Sequence, residues 1–459
     1  MLRGLVLALS LFLASALGAQ AQAVTLGPEE MRKAAYLALE HGQLARARAY
    51  TDALIARDPG DVAARVIASR AARDAGDFET AKRHARAAWD SADTETEQFA
   101  AAMVMAQALS SDGQRTRAQL WLRRARHIAP TPGHAAKAAR DFRYVRLRNP
   151  WQTFLSFSVQ PNSNINNGSS ERSSTLNYRL TELFTPRGTE FELQGDALAL
   201  SGVEYRFGAK TRYRLHETAT RAQDLFFEVD LREYTLSSDA KALAPDAKAS
   251  DFSFTSVAAG YGLRGINRDG KGEARGRLEF GQSWYGGDKL ARYAELSAAQ
   301  SFFLPDAQRL NLQLTAKKQF GQLVPDVDTV TGDISYSRPF GAGHRMIVGL
   351  SLGTADSDNT DYAYDSAAAS VQVALAQPIM SAQIILGLSL SRRDYVTSRH
   401  SRDGRRDDKI TADMTMIFKD IDYYGFNPTM TISAARTDSN IGLYSADRFG
   451  VSLGIRSAF

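Results

Sequence analysis

The sequence predicts a two-part fold: a short α-helical repeat domain of the tetratricopeptide (TPR) type, then a transmembrane β-barrel of fourteen strands. Three observations carry this reading. Apolar residues recur at helical spacing up to Asn149-Pro150 and at every second position after it. Gly42 and Gly76 lie 34 positions apart, the repeat period of TPR helix pairs. Beyond the N-terminus, no apolar run approaches the ~18 residues of a membrane-spanning helix, so any membrane crossing falls to strands.

The first element is a secretory signal peptide over residues 1–23. Arg3 supplies the positive region and Leu5 to Leu17 the apolar stretch. Ala19-Gln20-Ala21 and Ala21-Gln22-Ala23 offer small residues for cleavage. No cysteine follows, so the chain is not itself a lipoprotein. The whole sequence of 459 residues has no cysteine, which removes disulfides, thiolate metal sites and thiol nucleophiles and suits an oxidising compartment. A net charge of +5 with 23% charged residues gives no ground for nucleic-acid binding.

Residues 24–148 form the helical domain. Gly42-Gln43-Leu44, Gly76-Asp77-Phe78 and Gly113-Gln114-Arg115 open equivalent turns, and Ala47, Ala81 and Ala118 follow at the same offset. Glycine permits the tight turn, and alanine lets the paired helices approach. Pro59 and Pro130 fall where a second helix should stop. An unrelated helical bundle is the plainer alternative. Arg46, Arg48, Arg83 and Arg86 suggest either an acidic partner or a solvated face.

Residues 149–459 form the barrel. The last strand places Phe449, Val451, Leu453, Ile455 and Phe459 on one face and Gly450, Ser452, Gly454 and Arg456 on the other. Met380 to Leu390, Leu310 to Leu314 and Leu225 to Leu231 alternate in the same way. The other face is polar and charged, with Arg275, Arg277, Glu279, Arg309 and Lys317, as a wet lumen requires. A soluble sandwich would bury its apolar face instead; the secretion signal, the number of strands and the terminal aromatic favour the barrel. Alternate connections are short, near Asp422-Tyr423, Gln377-Pro378, Gly341-Ala342, Pro305-Asp306, Asp269-Gly270 and Thr218-Ala219. The others are mostly longer, and short turns are the periplasmic ones in bacterial barrels. The first strand is either 151–160 or 191–200; the sequence leaves both open.

Little points to catalysis. The barrel region holds His216, His344 and His400, all expected in turns or loops, and no catalytic residue, cofactor site or metal site is assigned. Asp356, Asp358, Asp361 and Asp365 read as a solvated loop, with oxygen ligation of a cation as the rarer alternative.

Three strings remain. They are Pro161-Asn162-Ser163-Asn164-Ile165-Asn166-Asn167, Arg406-Asp407-Asp408-Lys409, and the tail with Ser439-Asn440-Ile441, Tyr444 and Asp447-Arg448. From the residues alone, the first is either a turn whose asparagines cap their own backbone or a gating or client contact, and the second is either a solvated charge cluster or a contact to the phosphates of outer-leaflet lipid. In this order, behind repeat helices, they resemble the surface lipoprotein assembly modulators, the Slam proteins. That resemblance implies a periplasmic TPR domain, a fourteen-stranded outer-membrane barrel, no enzymatic activity, and delivery of a client lipoprotein or soluble effector to the cell surface. Lys419-Asp420 and Ile441-Gly442 depart from the family pattern. The candidate client or gating residues are Asn162, Ser163, Asn164, Asn166, Asn167, Arg406, Asp408, Lys409, Ser439 and Asn440. Implied partners are the client, a periplasmic chaperone, the barrel assembly machinery and outer-membrane lipid. A polysaccharide-export pore or a nutrient porin is the alternative function.

Overall fold

The computed structural model describes residues 26–185, 189–421, 423 and 425–457. The expected signal peptide and the terminal Phe459 therefore lie outside the described residues. The chain divides into two compact units between Leu147 and Arg148.

The first unit is a stack of helices: α1 (Pro28–Glu40), α2 (Leu44–Arg57), α3 (Val62–Asp74), α4 (Phe78–Asp90), α5 (Glu95–Ser111), α6 (Arg115–His127) and α7 (Pro132–Arg148). Gly42, Gly76 and Gly113 sit between paired helices at φ of 70°, 83° and 78°, a region that glycine enters without steric cost. Five residues on, Ala47, Ala81 and Ala118 are fully buried; a larger side chain there would push the pairs apart. Helix starts are capped by sequence-local acceptors. Asp61 accepts from the Ala64 N–H at 2.9 Å, and Thr94 and Glu97 form a reciprocal capping box. Asp61 also receives the Arg32 guanidinium at 2.9 Å, which ties the first helix pair to the second. Phe99, Met103, Leu109, Leu122 and Val145 close the main core.

The second unit is a closed antiparallel barrel. Fourteen strands run in the order β1, β16, β15 and so on down to β4, which returns to β1. They are β1 (Trp151–Asn162), β4 (Gly202–Glu217), β5 (Arg221–Leu236), β6 (Phe254–Ile266), β7 (Gly272–Tyr285), β8 (Asp288–Phe303), β9 (Arg309–Gly321), β10 (Val327–Phe340), β11 (His344–Asp356), β12 (Tyr364–Ala374), β13 (Gln383–Tyr395), β14 (Arg405–Ile417), β15 (Phe426–Ser439) and β16 (Ala446–Ser457). A separate two-stranded ribbon, β2 (Ser173–Thr175) with β3 (Glu190–Glu192), lies outside it.

This decides the open question of the first strand. Trp151 enters β1, and the stretch 191–200 belongs to the long connection after it. The 191–200 stretch alternates like a strand, but β4 already pairs with β1 along its length, so no sheet edge is left for it. The histidines need correction too. His216 lies within β4 and His344 opens β11; only His400 is in a loop. Met380 and Ala382 belong to the turn before β13, since Met380 and Ser381 take positive φ.

The alternation holds around the wall. Leu296, Leu350, Leu352 and Leu453 are each more than half exposed, which fits a lipid-facing surface and no soluble core. No described helix is long and apolar enough to cross a membrane. The opposite face carries paired charges. Arg277 meets Glu228 at 2.7 Å and also Glu279, and Arg206 meets Asp230 at 2.6 Å.

Facing is directly testable. Leu388 points to lipid, whereas its neighbour Ser389 points inward. Leu388→Arg is expected to cost about 2–4 kcal/mol if it lies near the bilayer midplane, lowering the urea midpoint of the reconstituted barrel. Ser389→Arg should stay within about 1 kcal/mol of the parent. Equal losses at both positions would show that the wall does not alternate as described.

Candidate functional site

Closure of the barrel depends on β1 and β16, the first and last strands. β1 and β4 share twelve residue pairs. β1 and β16 share five among the described residues: Ser156 with Arg456, Phe157 with Ile455, Ser158 with Gly454, Val159 with Leu453, and Asn162 with Gly450. The register lapses at Gln160 and Pro161. The cause is local. Ser163 donates its N–H to the Phe449 carbonyl at 3.3 Å, so odd-numbered β1 residues direct their amides toward β16. Pro161 is one of these and has no N–H to give. Nearer the other end, the Leu155 N–H is taken by the Ser457 hydroxyl at 2.8 Å, a side chain in place of a ladder bond.

Just beyond this lapse the asparagine-rich stretch folds on itself. Asn162 donates to Glu204 at 2.9 Å and accepts the Asn164 N–H at 3.0 Å. Asn164 is fully buried; its amide donates to the Gly168 carbonyl and its oxygen accepts the Gly168 N–H. Gly168 is required there, because a Cβ would lie 2.2 Å from the Leu198 carbonyl oxygen. Asn166 donates to the Asp196 and Leu198 carbonyls at 2.7 and 2.8 Å and accepts the Leu200 N–H at 2.9 Å. The self-capping turn expected from the sequence is present, and it clamps two ends of a long connection that are more than thirty residues apart in sequence.

The described residues of that connection, 163–185 and 189–201, form a cap. Ile165 and Leu200 are buried with Ala240, Ala244 and Phe252 of the β5–β6 loop. Ser169 donates to the Gly442 carbonyl at 2.6 Å, the Ser170 N–H bonds the Ser445 carbonyl at 2.9 Å, and Ser174 accepts the Leu443 N–H at 3.0 Å, all in the β15–β16 loop. The Asn177 N–H reaches His400 Nδ1 at 3.0 Å in the β13–β14 loop. The cap thus touches loops from β13 around to β6 and straddles the β1–β16 seam.

The sequence motifs converge here but divide by face. Arg448 of β16 donates to the Asn164 carbonyl at 3.1 Å and to Asn167. The Phe449 N–H bonds the Ser163 hydroxyl at 2.9 Å. Asn440 accepts the Arg406 N–H at 2.7 Å and donates to the Gly404 carbonyl at 3.1 Å, while Ser439 donates to Asp407 at 2.7 Å. Arg406 and Asp408 share the lipid-facing side with Ile410 and pair with Asp394 and Arg392 at 2.7 and 2.6 Å. Lys409 and Ser439 lie on the lumen side, so the Arg406-Asp407-Asp408-Lys409 string is two different surfaces and not one cluster. Phe449, Val451, Leu453 and Ile455 form the outer face of β16, as expected.

At the centre of this network are Arg405 and Tyr395, which no sequence motif singled out. Arg405 stacks on Tyr395 and Tyr444, 4.4 and 3.4 Å from the ring centroids, and pairs with Asp407. His400 packs its ring near Tyr444. These residues come from three separate segments, and no linear spacing signals their meeting. Burial holds the His400 imidazole below the usual histidine range, with Arg399 and Arg405 acting in the same direction and Asp361 opposing them.

The lumen wall is uneven. Across β4–β8 a cavity of about 610 Å³ is lined by Arg212, Asp224, Glu228, Arg275, Arg277 and Glu279. The inward residues near the seam are smaller and mostly uncharged: Thr429, Thr431 and Ser433 on β15, Gly450, Ser452 and Gly454 on β16.

Residues 151–459 match the family model described as surface lipoprotein assembly modifier. No curated protein matches the chain. Among solved structures, the type III secretion translocator chaperone SycD of Yersinia enterocolitica aligns at 16% identity, covering 28% of this chain and 91% of its own, with a TM-score of 0.24. A loop-deleted OmpT outer membrane protein of Vibrio cholerae aligns at 8% identity over 67% of this chain and 98% of its own, TM-score 0.34. A bacterial polysaccharide outer membrane secretin gives 6% identity over 67% and 98%, TM-score 0.34.

The His400 contact gives the cap a pH dependence. The folded chain resists protonating His400, whereas an unfolded histidine titrates near 6.5. The stabilising contact is therefore complete above that pH and lost as pH falls below it. Hydrogen exchange at the Asn177 amide, corrected for intrinsic rate, should be slow at pH 7.5 and several-fold faster at pH 5. His400→Gln should remove that difference, and an unchanged pH profile in the variant would assign the effect elsewhere.

Proposed function

Since the chain belongs to the surface lipoprotein assembly modifier family, we propose that it is an outer-membrane device that delivers a client protein, lipidated or soluble, to the cell surface. The observation that carries this reading is the β1–β16 seam. In hydrocarbon, an unpaired strand edge exposes donors and acceptors that nothing satisfies. A seam already lacking the Pro161 donor has fewer ladder bonds to break, and an incoming client strand could satisfy the remainder. The small hydroxyl and glycine side chains lining the lumen beside it leave room for a passing segment.

In this scheme the short-turn end of the barrel faces the periplasm, where α7 leads directly into β1. The helical unit receives the client or a chaperone that carries it. The cap over residues 163–201 lies on the external side and closes the seam at rest. Asn162, Ser163, Asn164, Asn166, Asn167, Ser439 and Asn440 are its latch. Arg406 and Asp408 face outer-leaflet lipid, and Lys409 faces the passing client. The barrel assembly machinery inserts the protein, and no catalytic step is involved. The family match favours a protein client over the polysaccharide or nutrient-pore alternatives.

A cross-link across the seam tests this reading. The chain has no native cysteine, and Ser156 and Arg456 are register partners. The double variant Ser156→Cys, Arg456→Cys should export a co-expressed client encoded beside it when reduced and lose surface exposure of that client when oxidised, read by protease accessibility on intact cells. Equal exposure in both states would rule out seam opening. Deleting residues 24–148 should leave a heat-modifiable barrel and abolish export; export at the parent level would make the helices dispensable.

A further inference from the structure

The charge of the helical unit is concentrated at one end. Residues 115–148 contain ten Lys or Arg against the single carboxylate Asp141, a local net charge of +9 in a chain whose total is +5. The four arginines singled out from the sequence are less informative. Arg48 pairs with Asp52 and Arg86 with Asp90 within their own helices, while Arg46 and Arg83 bond the neighbouring Gln43 and Thr80. The excess of basic over acidic residues falls on α6 and α7.

α7 is amphipathic. Ala138 and Val145 are buried, with Phe142 packed between them against the core. The opposite face, at helical spacing, presents Lys137, Arg140, Arg143, Tyr144, Leu147 and Arg148, all exposed. Leu147 is 80% exposed and Tyr144 56%. A basic face carrying an exposed leucine and tyrosine is the pattern of a helix lying at a lipid–water interface.

The chain places that pattern where such an interface lies. α7 ends at Arg148 and β1 begins at Trp151, so the span between them is at most about 11 Å. The Asn149 side chain accepts the Trp151 N–H at 3.2 Å, and the Pro150 carbonyl accepts the Arg214 N–H at 2.8 Å, which fixes this junction to β4. Trp151 is half exposed and packs on Tyr213, ring centroids 4.6 Å apart, on the lipid-facing side of the wall. Such aromatic girdles mark the headgroup level of a barrel. The end of α7 is therefore tied by three residues of chain to the girdle residue Trp151.

We propose that the exposed face of α7 is a membrane-surface contact that binds anionic phospholipid headgroups through Lys137, Arg140 and Arg143, with Leu147 dipping into the interface. The assignment rests on the membrane reading above only for the presence of a bilayer around the barrel. An acidic protein is the other chemistry that fits a basic face; the exposed Leu147 and the adjacent girdle favour lipid.

The test uses the full chain with Leu147→Cys as its single thiol, labelled with an environment-sensitive fluorophore. It is reconstituted into vesicles of phosphatidylethanolamine alone or with one part in three phosphatidylglycerol. Phosphatidylglycerol should shift the emission to the blue and protect the probe from iodide, and 0.5 M salt should reverse both by screening. Each charge removed among Lys137, Arg140 and Arg143 by substitution with Gln should lower the bound-to-free ratio about fivefold. Circular dichroism and heat-modifiability establish that the variants are folded. Emission and quenching identical in the two vesicle types, or protection only when a soluble acidic protein is added, would overturn the inference. Either result with an intact barrel and undiminished client export would leave the proposed delivery function standing.

Discussion

A backbone surrounded by hydrocarbon finds no water to bond, so each strand of a membrane barrel needs a partner on both sides. Among the described residues, ten or more residue pairs join neighbouring strands at every junction except one. The exception joins the first and last strands: Pro161 breaks its register at one end, and β16 is described only to Ser457 at the other. The contacts at the capped end of the barrel complement this. The cap is anchored on both sides of the weak junction, and Arg448, Ser163 and Phe449 supply across it the bonds that the ladder lacks.

The cap has the economy of a structure built from turns. Its asparagines satisfy backbone groups that would otherwise be buried without partners, and its apolar content is confined to a small cluster around Ile165, Leu200 and Phe252. Such an assembly is held mainly by hydrogen bonds with little buried apolar area. Local opening of this kind of segment costs less than opening the sheet. The aromatic stack of Arg405 between Tyr395 and Tyr444 links the far end of the cap to β14.

Charge is distributed with similar selectivity. Inside the barrel, acids and bases on β4–β8 neutralise one another across neighbouring strands, so this wall is polar without a strong field of either sign. Beside the seam the wall turns to hydroxyls and glycine. In the helical unit, the first two helix pairs balance their charges internally, and the excess is left on α6 and α7, the helices that precede β1 in the chain.

Much of this was legible in the sequence, because the features concerned are local. The helical repeat shows in the spacing of Gly42 and Gly76, since each turn imposes the same positive φ. The lipid-facing strands show in alternate residues, since the pleat has a period of two. Fourteen strands follow from short turns that carry their own glycine and proline signals. The self-capping of Asn162 to Asn167 is likewise a short-range property. What the tertiary structure alone decided is of longer range. Phe191 to Leu200 alternates as well as any strand, and only the occupied edge of β1 turns it into cap. His216 and His344 sit in strands because ladder pairing extended beyond the polar residues that suggested turns. Arg406 and Lys409 part to opposite faces once register is set. His400, Arg405 and Tyr444 meet from segments whose spacing encodes no contact. The sequence by itself determined the two domains, the strand periodicity and the turns, because backbone geometry and side-chain alternation act over a few residues. The weak seam and the cap across it were decided only by closure, because a barrel brings its first and last strands together across some three hundred residues of chain.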